Sequence, residues 1–126
     1  MREITVMTAN KVGALADVCD ALGGVGVNIR GISAHGVGET GIIRLITEDE
    51  TTARNILERA GFKITVGDVV SVKLRDRPGE LAKIARKLAR AGVDLESVYM
   101  IGRGTNEVEI AFKPKSVKDA LAALKK

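Results

Sequence analysis

The chain has 126 residues, a formal net charge of +4 at pH 7, and a composition that is 45% hydrophobic and 29% charged. This composition is typical of a globular protein and excludes a disordered one, because enough apolar surface is present to build a core. No cationic start precedes an apolar run, and no stretch approaches the roughly 20 apolar residues of a membrane span. We therefore expect a soluble, cytoplasmic protein.

Metal and redox sites have little support in the sequence. Cys19 and His35 are the single cysteine and the single histidine, so one chain offers no pair of such ligands. Cys19 lies on the apolar spacing of a helix and is expected in the core. His35 lies near a strand end and is expected at the surface. We predict no metal, no cofactor and no convergent catalytic set, and hence no enzyme activity.

The sequence repeats itself at an offset of 66 residues. The identical pairs are Gly13 and Gly79, Leu15 and Leu81, Ala16 and Ala82, Leu22 and Leu88, Gly26 and Gly92, Val27 and Val93, Gly36 and Gly102, and Gly38 and Gly104. Such agreement at one offset indicates two small units of one kind. We place them at residues 1–66 and 67–126.

Each unit begins with a strand, because apolar and polar residues alternate at 4–8 and again at 70–74. A helix follows in each unit, with apolar residues at the spacing of one buried face. These residues are Leu15, Val18, Cys19 and Leu22 in the first unit, and Leu81, Ile84, Ala85 and Leu88 in the second. Gly26 and Gly92 are expected to end the two helices.

The remaining elements follow the same order in both units. They are second strands at 27–34 and 93–101, third strands at 42–47 and 107–112 after glycine-rich hairpins, and second helices at 49–60 and 117–125. Asp49 or Thr51 is the expected N-cap of one second helix, and Ser116 is that of the other. A fourth strand at 64–66 ends the first unit and has no counterpart in the second.

Strand, helix, strand, strand, helix, strand is the split βαβ order, which places both helices on one face of an antiparallel sheet. The predicted fold class is α+β, with two ferredoxin-like βαββαβ units side by side that share a sheet. The second unit lacks its last strand, so the strand at 70–75 is expected at an edge, where Lys73 and Arg75 discourage further pairing.

The segment DRPGEL, residues 76–81, links a strand to a helix whose first N–H groups have no partner within the helix. Pro78 fixes the turn, Gly79 lets a ligand approach the backbone, and the helix dipole favours a carboxylate. The segment therefore suits the carboxylate of a small molecule. Alternatively, Asp76 caps the helix and leaves no site.

The segment DRPGELAKIARKLARAGVDLESVY at 76–99, and more weakly NKVGALADVCDALGGVGVNIRGI at 10–32, resembles the ACT domain family. The resemblance implies tandem regulatory modules that bind a small amino acid and pass that binding on allosterically to an enzyme or regulator. We expect a homodimer that acts either as a free-standing sensor or as a regulatory subunit of an enzyme partner in trans. The first of these segments is also similar to the small regulatory subunits of acetohydroxyacid synthase, although those carry a single such unit.

The resemblance also implies which residues bind the ligand. The family's loop glycine falls on Gly13 and Gly79, and its second-strand asparagine falls on Asn28, which Asp94 replaces in the second unit. Because ACT modules often pack side by side, we expect the Gly79 loop to face Asn28 and form the stronger site. The Gly13 loop is expected to face Asp94. The implied set is Asn10, Lys11, Val12, Gly13, Ala14, Leu15, Asn28, Ile29, Asp76, Arg77, Pro78, Gly79, Glu80, Leu81, Asp94 and Leu95.

The basic excess lies in the second unit, which holds thirteen Lys or Arg against eight Asp or Glu, whereas the first holds seven against eight. A basic split βαβ protein that binds nucleic acid is therefore the alternative function. Only two Phe and one Tyr are present, which is few for a surface that stacks bases. A solvated helix face, or pairing with the acidic helix that carries Asp17 and Asp20, accounts better for the charge.

Overall fold

The computed structural model describes residues 1–125, so Lys126, the last residue of the expected second unit, lies outside the described residues. Within residues 1–125 the elements are β1 Arg2–Ala9, α1 Ala14–Gly24, β2 Ile29–Val37, β3 Thr40–Thr47, α2 Glu50–Arg59, β4 Lys63–Asp68, β5 Val70–Arg75, α3 Glu80–Arg90, β6 Leu95–Gly104, β7 Glu107–Pro114 and α4 Val117–Leu124. The expected element order and the α+β class are confirmed. The chain forms two compact units, one of Arg2–Gly67 and one from Asp68 onward with Met1.

The first unit is built on a four-stranded sheet of order β2-β3-β1-β4. β3 runs antiparallel to both β1 and β2 and aligns Ile4 with Leu45. Residues of β1, β3, α1 and α2 meet in one core, which confirms that both helices cover the same face. The buried core consists of Ile4, Val6, Val18, Leu22, Val27, Ile43, Leu45, Ala53 and Leu57.

The second unit is built on a three-stranded sheet of order β5-β7-β6. Within the described chain β5 is therefore an edge strand, and no further strand pairs with it. The buried core consists of Val70, Leu74, Leu88, Val108, Ile110, Phe112, Ala120 and Ala123. The expectation of a single shared sheet is wrong within the described chain, where the strands form one sheet of four and one of three.

The buried face of α1 differs from the predicted one. Ala14, Val18 and Leu22 are buried, whereas Leu15 is 44% exposed and Cys19 is only half-buried. Consecutive helix residues are about 100° apart around the helix axis. When Ala14, Val18 and Leu22 face the core, Leu15 and Cys19 therefore lie at the side of the helix. The prediction of Leu15 and Cys19 as core residues is therefore wrong.

The equivalent helix α3 departs from the prediction in the same way. Leu88 is buried and Ile84 packs against the core, but Leu81 is 45% exposed and Ala85 is exposed. Both first helices therefore keep an unburied side that the apolar spacing had assigned to the core.

The ends of the helices follow the sequence closely. Asp49 is the N-cap of α2, because its carboxylate accepts from Thr52 N at 3.1 Å and from Thr52 Oγ1 at 2.7 Å. Both bonds lower the pKa of Asp49 below its ordinary value, and the bond from the Thr52 hydroxyl has the larger effect. Ser116 caps α4 by accepting from Asp119 N at 3.2 Å. Gly26 and Gly92 follow α1 and α3 with φ of 75° and 71°, as expected for helix-ending glycines.

Candidate ligand site

The loops that open α1 and α3 have the same backbone conformation although their sequences differ. Gly13 and Gly79 are the N-caps, in the left-handed region at φ 89° and 87°. In each loop the glycine carbonyl accepts the first helical bond, from Asp17 N at 2.9 Å and from Lys83 N at 3.2 Å. Because glycine has no side chain, neither helix has a side-chain cap at this position. The N–H of Ala14 donates to Lys11 O at 3.3 Å and that of Glu80 donates to Arg77 O at 3.4 Å. The N–H groups of the next two residues in each helix therefore have no side-chain cap from the loop.

Asp76 does not cap α3. Its Oδ2 lies 3.3 Å from Arg103 NH1, and its backbone N–H donates to Asn106 O at 2.9 Å. The carboxylate therefore links the loop to the hairpin between β6 and β7. The alternative interpretation of the segment, in which Asp76 caps the helix, is wrong because Arg103 holds this carboxylate away from the helix end.

A carboxylate nevertheless lies at the start of α3, and it belongs to Glu80. Glu80 Oε1 accepts from Arg77 Nε and lies 3.3 Å from Lys83 Nζ. The hydrogen bond from Arg77, with Lys83 contributing less, lowers the pKa of Glu80 below its ordinary value of 4.5. Glu80 is therefore ionised at neutral pH, and it compensates both Arg77 and the positive end of the helix dipole.

The first loop lacks this compensation. Lys11 stands where the second loop has Arg77, and Ala14 stands where it has Glu80. Within residues 1–125 Lys11 makes no ion pair. No acidic residue of this loop therefore opposes Lys11, and the first acidic residue of the helix is Asp17, in the first turn of α1.

Asn10 fixes the first loop to the hairpin between β2 and β3. Its backbone N–H donates to Glu39 O at 2.8 Å, and its Nδ2 donates to Gly38 O at 3.0 Å. A Cβ on Gly36 would lie 2.3 Å from Asn10 Nδ2, so glycine is required there for this contact. Asn10, proposed from the resemblance as a ligand contact, thus also positions the loop, and its Oδ1 remains an acceptor.

A depression of about 190 Å³ lies beside this loop. It is open to solvent and combines polar groups of the loop with apolar side chains of the helix and hairpin. Its lining consists of Thr8, Ala9, Asn10, Lys11, Ala14, Leu15, Ala34, His35, Gly36, Gly41, Ile42 and Ile43. At about 30 Å³ per water, this volume would hold a handful of water molecules or one small metabolite.

The hairpin residues of this lining were missed by the sequence reasoning, and His35 is the polar one among them. Arg44 NH1 lies 3.1 Å from His35 Nε2. Because a guanidinium can only donate, Nε2 accepts, and the proton of the neutral ring is on Nδ1. His35 is exposed, as expected, and can donate to a ligand from Nδ1. The sequence signal that could have located these residues is the pair Gly36 and Gly41, which flanks the turn opposite the loop.

The depression near the second loop has a different lining. It is formed by Arg75, Asp76, Arg77, Thr105, Asn106 and Glu107. Gly79, Glu80 and Leu81 do not contribute to it. In the second unit, the depression therefore does not lie at the start of α3, where the motif predicted the ligand site.

The second-strand residues lie far from the loop of their own unit. Ala9, next to the first loop, aligns with Thr40, whereas Ile29 aligns with Thr47. Thr40 and Thr47 are seven strand residues apart, which at about 3.4 Å per residue is a separation of roughly 24 Å. Asn28, which precedes Ile29, therefore does not meet the Gly13 loop within one unit, and the equivalent separation holds for Asp94 and the Gly79 loop.

Asn28 and Asp94 have local partners at their own end of each sheet. Asn28 Nδ2 donates to Glu48 Oε1 at 3.4 Å, and Asp94 Oδ2 lies 3.3 Å from Lys115 Nζ. The neighbouring Ile29 and Leu95, also proposed as ligand contacts, are half-buried against the cores of their units. The remaining proposed residues, Val12 and Pro78, are exposed in their loops.

No group of three or more His, Cys, Asp or Glu side chains comes together as a metal site among residues 1–125. In the same part of the chain, no helix is both long and apolar enough to cross a membrane.

A family model described as an ACT domain pair matches residues 1–120. The chain belongs to the ACT domain pair family. This result confirms the resemblance seen in the two loop-and-helix segments. A search of curated sequences gives no match.

Solved structures share the fold of this ACT domain pair. A protein from Bacteroides thetaiotaomicron has 26% sequence identity and a TM-score of 0.89, with 98% of this chain and 85% of that chain covered. The ligand-free regulatory subunit of aspartate kinase from Thermus thermophilus has 17% identity and a TM-score of 0.75, with 98% and 90% covered. The regulatory subunit of aspartate kinase from Thermus flavus has 18% identity and a TM-score of 0.69, with the same coverage. At these identities, the two regulatory subunits show a shared fold.

Proposed function

We propose that this ACT domain pair is a non-catalytic regulatory protein that binds a small free amino acid at the Gly13 loop. Binding would be passed on to an enzyme or regulator of amino-acid metabolism. The observation that carries the proposal is the unpaired Lys11 beside the uncapped start of α1, at the rim of a depression that could hold a small molecule.

The chemistry of the loop suits a zwitterion. The ligand carboxylate would accept from the N–H groups of Leu15 and Ala16 and from Lys11, which are charge-assisted hydrogen bonds. The ammonium group would donate to Asn10 Oδ1, the acceptor that its bond to Gly38 leaves available. A small apolar side chain would contact Leu15 and Ile42, which line the depression.

The charges favour the first loop over the second as the stronger site. A ligand carboxylate at the Gly79 loop would approach the ionised Glu80, and like charges at this distance repel. The motif alone ranks the loops in the opposite order, since Asp76, Pro78 and Gly79 fit the family pattern more fully. The pairing of these loops with Asn28 and Asp94 of a neighbouring module stays a prediction.

The regulatory role and the partner are proposed from the fold. Two structural relatives are regulatory subunits of aspartate kinase, and this chain matches their fold over 98% of its length. We therefore propose an enzyme of amino-acid metabolism, contacted in trans by a cytoplasmic homodimer, as the target. A subunit of an acetohydroxyacid-synthase-like enzyme is a variant of the same role.

Nucleic-acid binding is the weaker candidate because the aromatic residues are used elsewhere. Phe112 is 1% exposed and belongs to the second core, and Phe62 packs against the first. Tyr99 is half-buried on β6. No set of exposed aromatic side chains on which bases could stack is present in the described chain.

A thermal-shift screen of the twenty amino acids tests the proposal. A ligand at a hundred times its Kd would add about 2.7 kcal/mol to the free energy of unfolding. The matched control is the C-terminal amide of the active amino acid, which lacks the carboxylate and is expected to give no shift. An oligonucleotide titration at two salt concentrations runs in parallel. Equal shifts with the amide, or salt-sensitive oligonucleotide binding without any amino-acid shift, would refute the proposal.

A further inference from the structure

The first unit buries an acidic side chain that the fold alone does not explain. Glu3 of β1 is 0% exposed, and Thr5, two residues further along the strand, is 7% exposed. Their neighbours Ile4 and Val6 belong to the core beneath the helices, and successive residues of a strand point to opposite faces. Glu3 and Thr5 therefore lie on the sheet face away from α1 and α2. A carboxylate removed from water requires polar partners, because its desolvation is costly.

Arg44 connects this buried carboxylate to His35. Thr5 Oγ1 donates to Glu3 Oε1 at 3.3 Å, and Arg44 Nε lies at ion-pair distance, 3.8 Å, from the same oxygen. Arg44 NH1 lies 3.1 Å from His35 Nε2. A guanidinium is planar and directs its N–H groups in fixed directions. One side chain therefore joins the buried Glu3 to a residue that lines the depression of the first loop.

The contact with Arg44 sets which nitrogen of His35 carries the proton. A guanidinium only donates, so Nε2 accepts and Nδ1 is protonated in the neutral ring. A free imidazole side chain favours the opposite tautomer, with its proton on Nε2, so the contact imposes the less common form. Within residues 1–125 His35 makes no other hydrogen bond. Its Nδ1–H is therefore available to an acceptor in the depression.

The second unit builds the same fold without this polar chain. Ala111 lies opposite Ser71 in its sheet, as Arg44 lies opposite Thr5 in the first. Apolar residues stand at all three equivalent positions: Val69 for Glu3, Ala111 for Arg44 and Ile101 for His35. All three replacements are buried. The polar chain is therefore not a requirement of the fold, and it occurs in the unit whose loop we propose as the ligand site.

We propose that Glu3 and Arg44 hold His35 as a hydrogen-bond donor, and that His35 selects an amino acid whose side chain carries an acceptor oxygen. This inference rests on the proposed function and narrows its ligand. In that binding mode the loop holds the carboxylate and Asn10 accepts from the ammonium group, so the ligand side chain is the part left for His35. A hydroxyl, amide or carboxylate oxygen accepts from Nδ1–H, while the carbon atoms of the same side chain contact the apolar part of the lining. Glu3 and Arg44 act through His35 and are positioning residues.

Nitrogen-15 NMR of the imidazole ring tests the positioning without any ligand, since His35 is the single histidine. In mildly alkaline solution, where imidazoles are neutral, the wild type is expected to carry its proton on Nδ1. The double variant Glu3→Val with Arg44→Ala copies the second unit and should move the proton to Nε2. Arg59→Ala, at the exposed end of α2, is the control and should change nothing. A double variant that is folded by circular dichroism and keeps Nδ1–H would overturn the inference, and so, on its own, would a wild-type ring protonated on Nε2.

Calorimetry with a matched pair of ligands tests the selectivity. O-Methylserine has an ether oxygen that only accepts, and norvaline has a methylene group in its place. The preference for O-methylserine over norvaline should be at least about threefold greater in the wild type than in the double variant, which corresponds to one modest hydrogen bond. An unchanged preference would overturn the selectivity. So would an active natural amino acid with a bare alkyl side chain, although the proposed function would then stand. If no amino acid binds, the proposed function and this inference both fail.

Discussion

Asp76 Oδ2 lies 3.3 Å from Arg103 NH1, and the helix that begins a few residues later has no side-chain cap. An acidic residue that the sequence offers as a cap instead connects two loops at one end of a sheet. The helix start is left to the backbone and to Glu80. In the first unit the equivalent positions are Asn10 and Ala14, neither of which is acidic. This difference is the reason that we rank the first loop above the second as a ligand site.

Replacing Asp76 by Ala should have little effect on stability. Both partners of the Asp76 pair are largely exposed, and exposed pairs contribute under about 1 kcal/mol. Ser116→Ala is the matched cap deletion and should lower the free energy of unfolding by about 1 kcal/mol, because the N–H of Asp119 loses its partner. Urea unfolding measures both. A larger loss in Asp76→Ala than in Ser116→Ala would show that Asp76 caps α3 in solution.

Alanine at either loop glycine should be unfavourable for conformational reasons alone. No atom lies within 4 Å of a Cβ built on Gly13 or Gly79, so the cost of about 1 to 2 kcal/mol comes from the left-handed backbone. Gly23→Ala, inside α1 and without positive φ, should be neutral or stabilising. The measurement is again urea unfolding, and equal effects of Gly13→Ala and Gly23→Ala would contradict the loop geometry.

The ion pair of Arg77 and Glu80 should depend on pH in a defined direction. The folded pKa of Glu80 is lowered from 4.5, with Arg77 as the main cause. A group with a lowered folded pKa stabilises above its unfolded value, and this contribution is lost as pH falls through the folded pKa. Carboxyl ¹³C NMR should therefore give Glu80 a midpoint below 4.5, raised in Arg77→Ala. A midpoint that Arg77→Ala leaves unchanged would contradict the pair.

The revised burial of α3 predicts a strong contrast between two leucines. Leu88 is 1% exposed and Leu81 is 45% exposed. Leu88→Ala should cost about 2 to 5 kcal/mol because it leaves a cavity in the core, whereas Leu81→Ala should cost far less. Thermal or urea unfolding distinguishes the two. Similar losses would restore the original prediction of a helix face that includes Leu81.

Periodicity and the internal repeat were sufficient to predict the element order, because strands and helices each impose a regular spacing on their apolar residues. The caps at Asp49 and Ser116 were also predictable, since a cap is a local contact between residues three apart. The exposure of Leu15 was not predictable, because adjacent faces of a helix have similar compositions and only the packing on the sheet selects the buried one. The number of sheets could not be predicted either, because the spacing of apolar residues identifies strands but not which strands pair.

The candidate site was predicted in outline only. The left-handed backbone of the two loops could be predicted from Gly13 and Gly79, since glycine tolerates positive φ. The hairpin side of the depression, with His35 and Ile42, was missed because these residues lie more than twenty positions from the loop along the chain. The ion pair of Arg77 and Glu80 could be predicted from their three-residue spacing. The ion pair of Asp76 and Arg103 could not, because it joins residues that only the tertiary fold brings together.

Isothermal titration of the active amino acid into matched loop variants tests the central claim most directly. Lys11→Ala should weaken the tighter site by about tenfold or more, because a charge-assisted bond to the carboxylate is lost. Arg77→Ala should leave that site unchanged, since Glu80 already holds the Arg77 guanidinium. Tight binding that survives Lys11→Ala but is lost in Arg77→Ala would contradict the account and assign the site to the second loop.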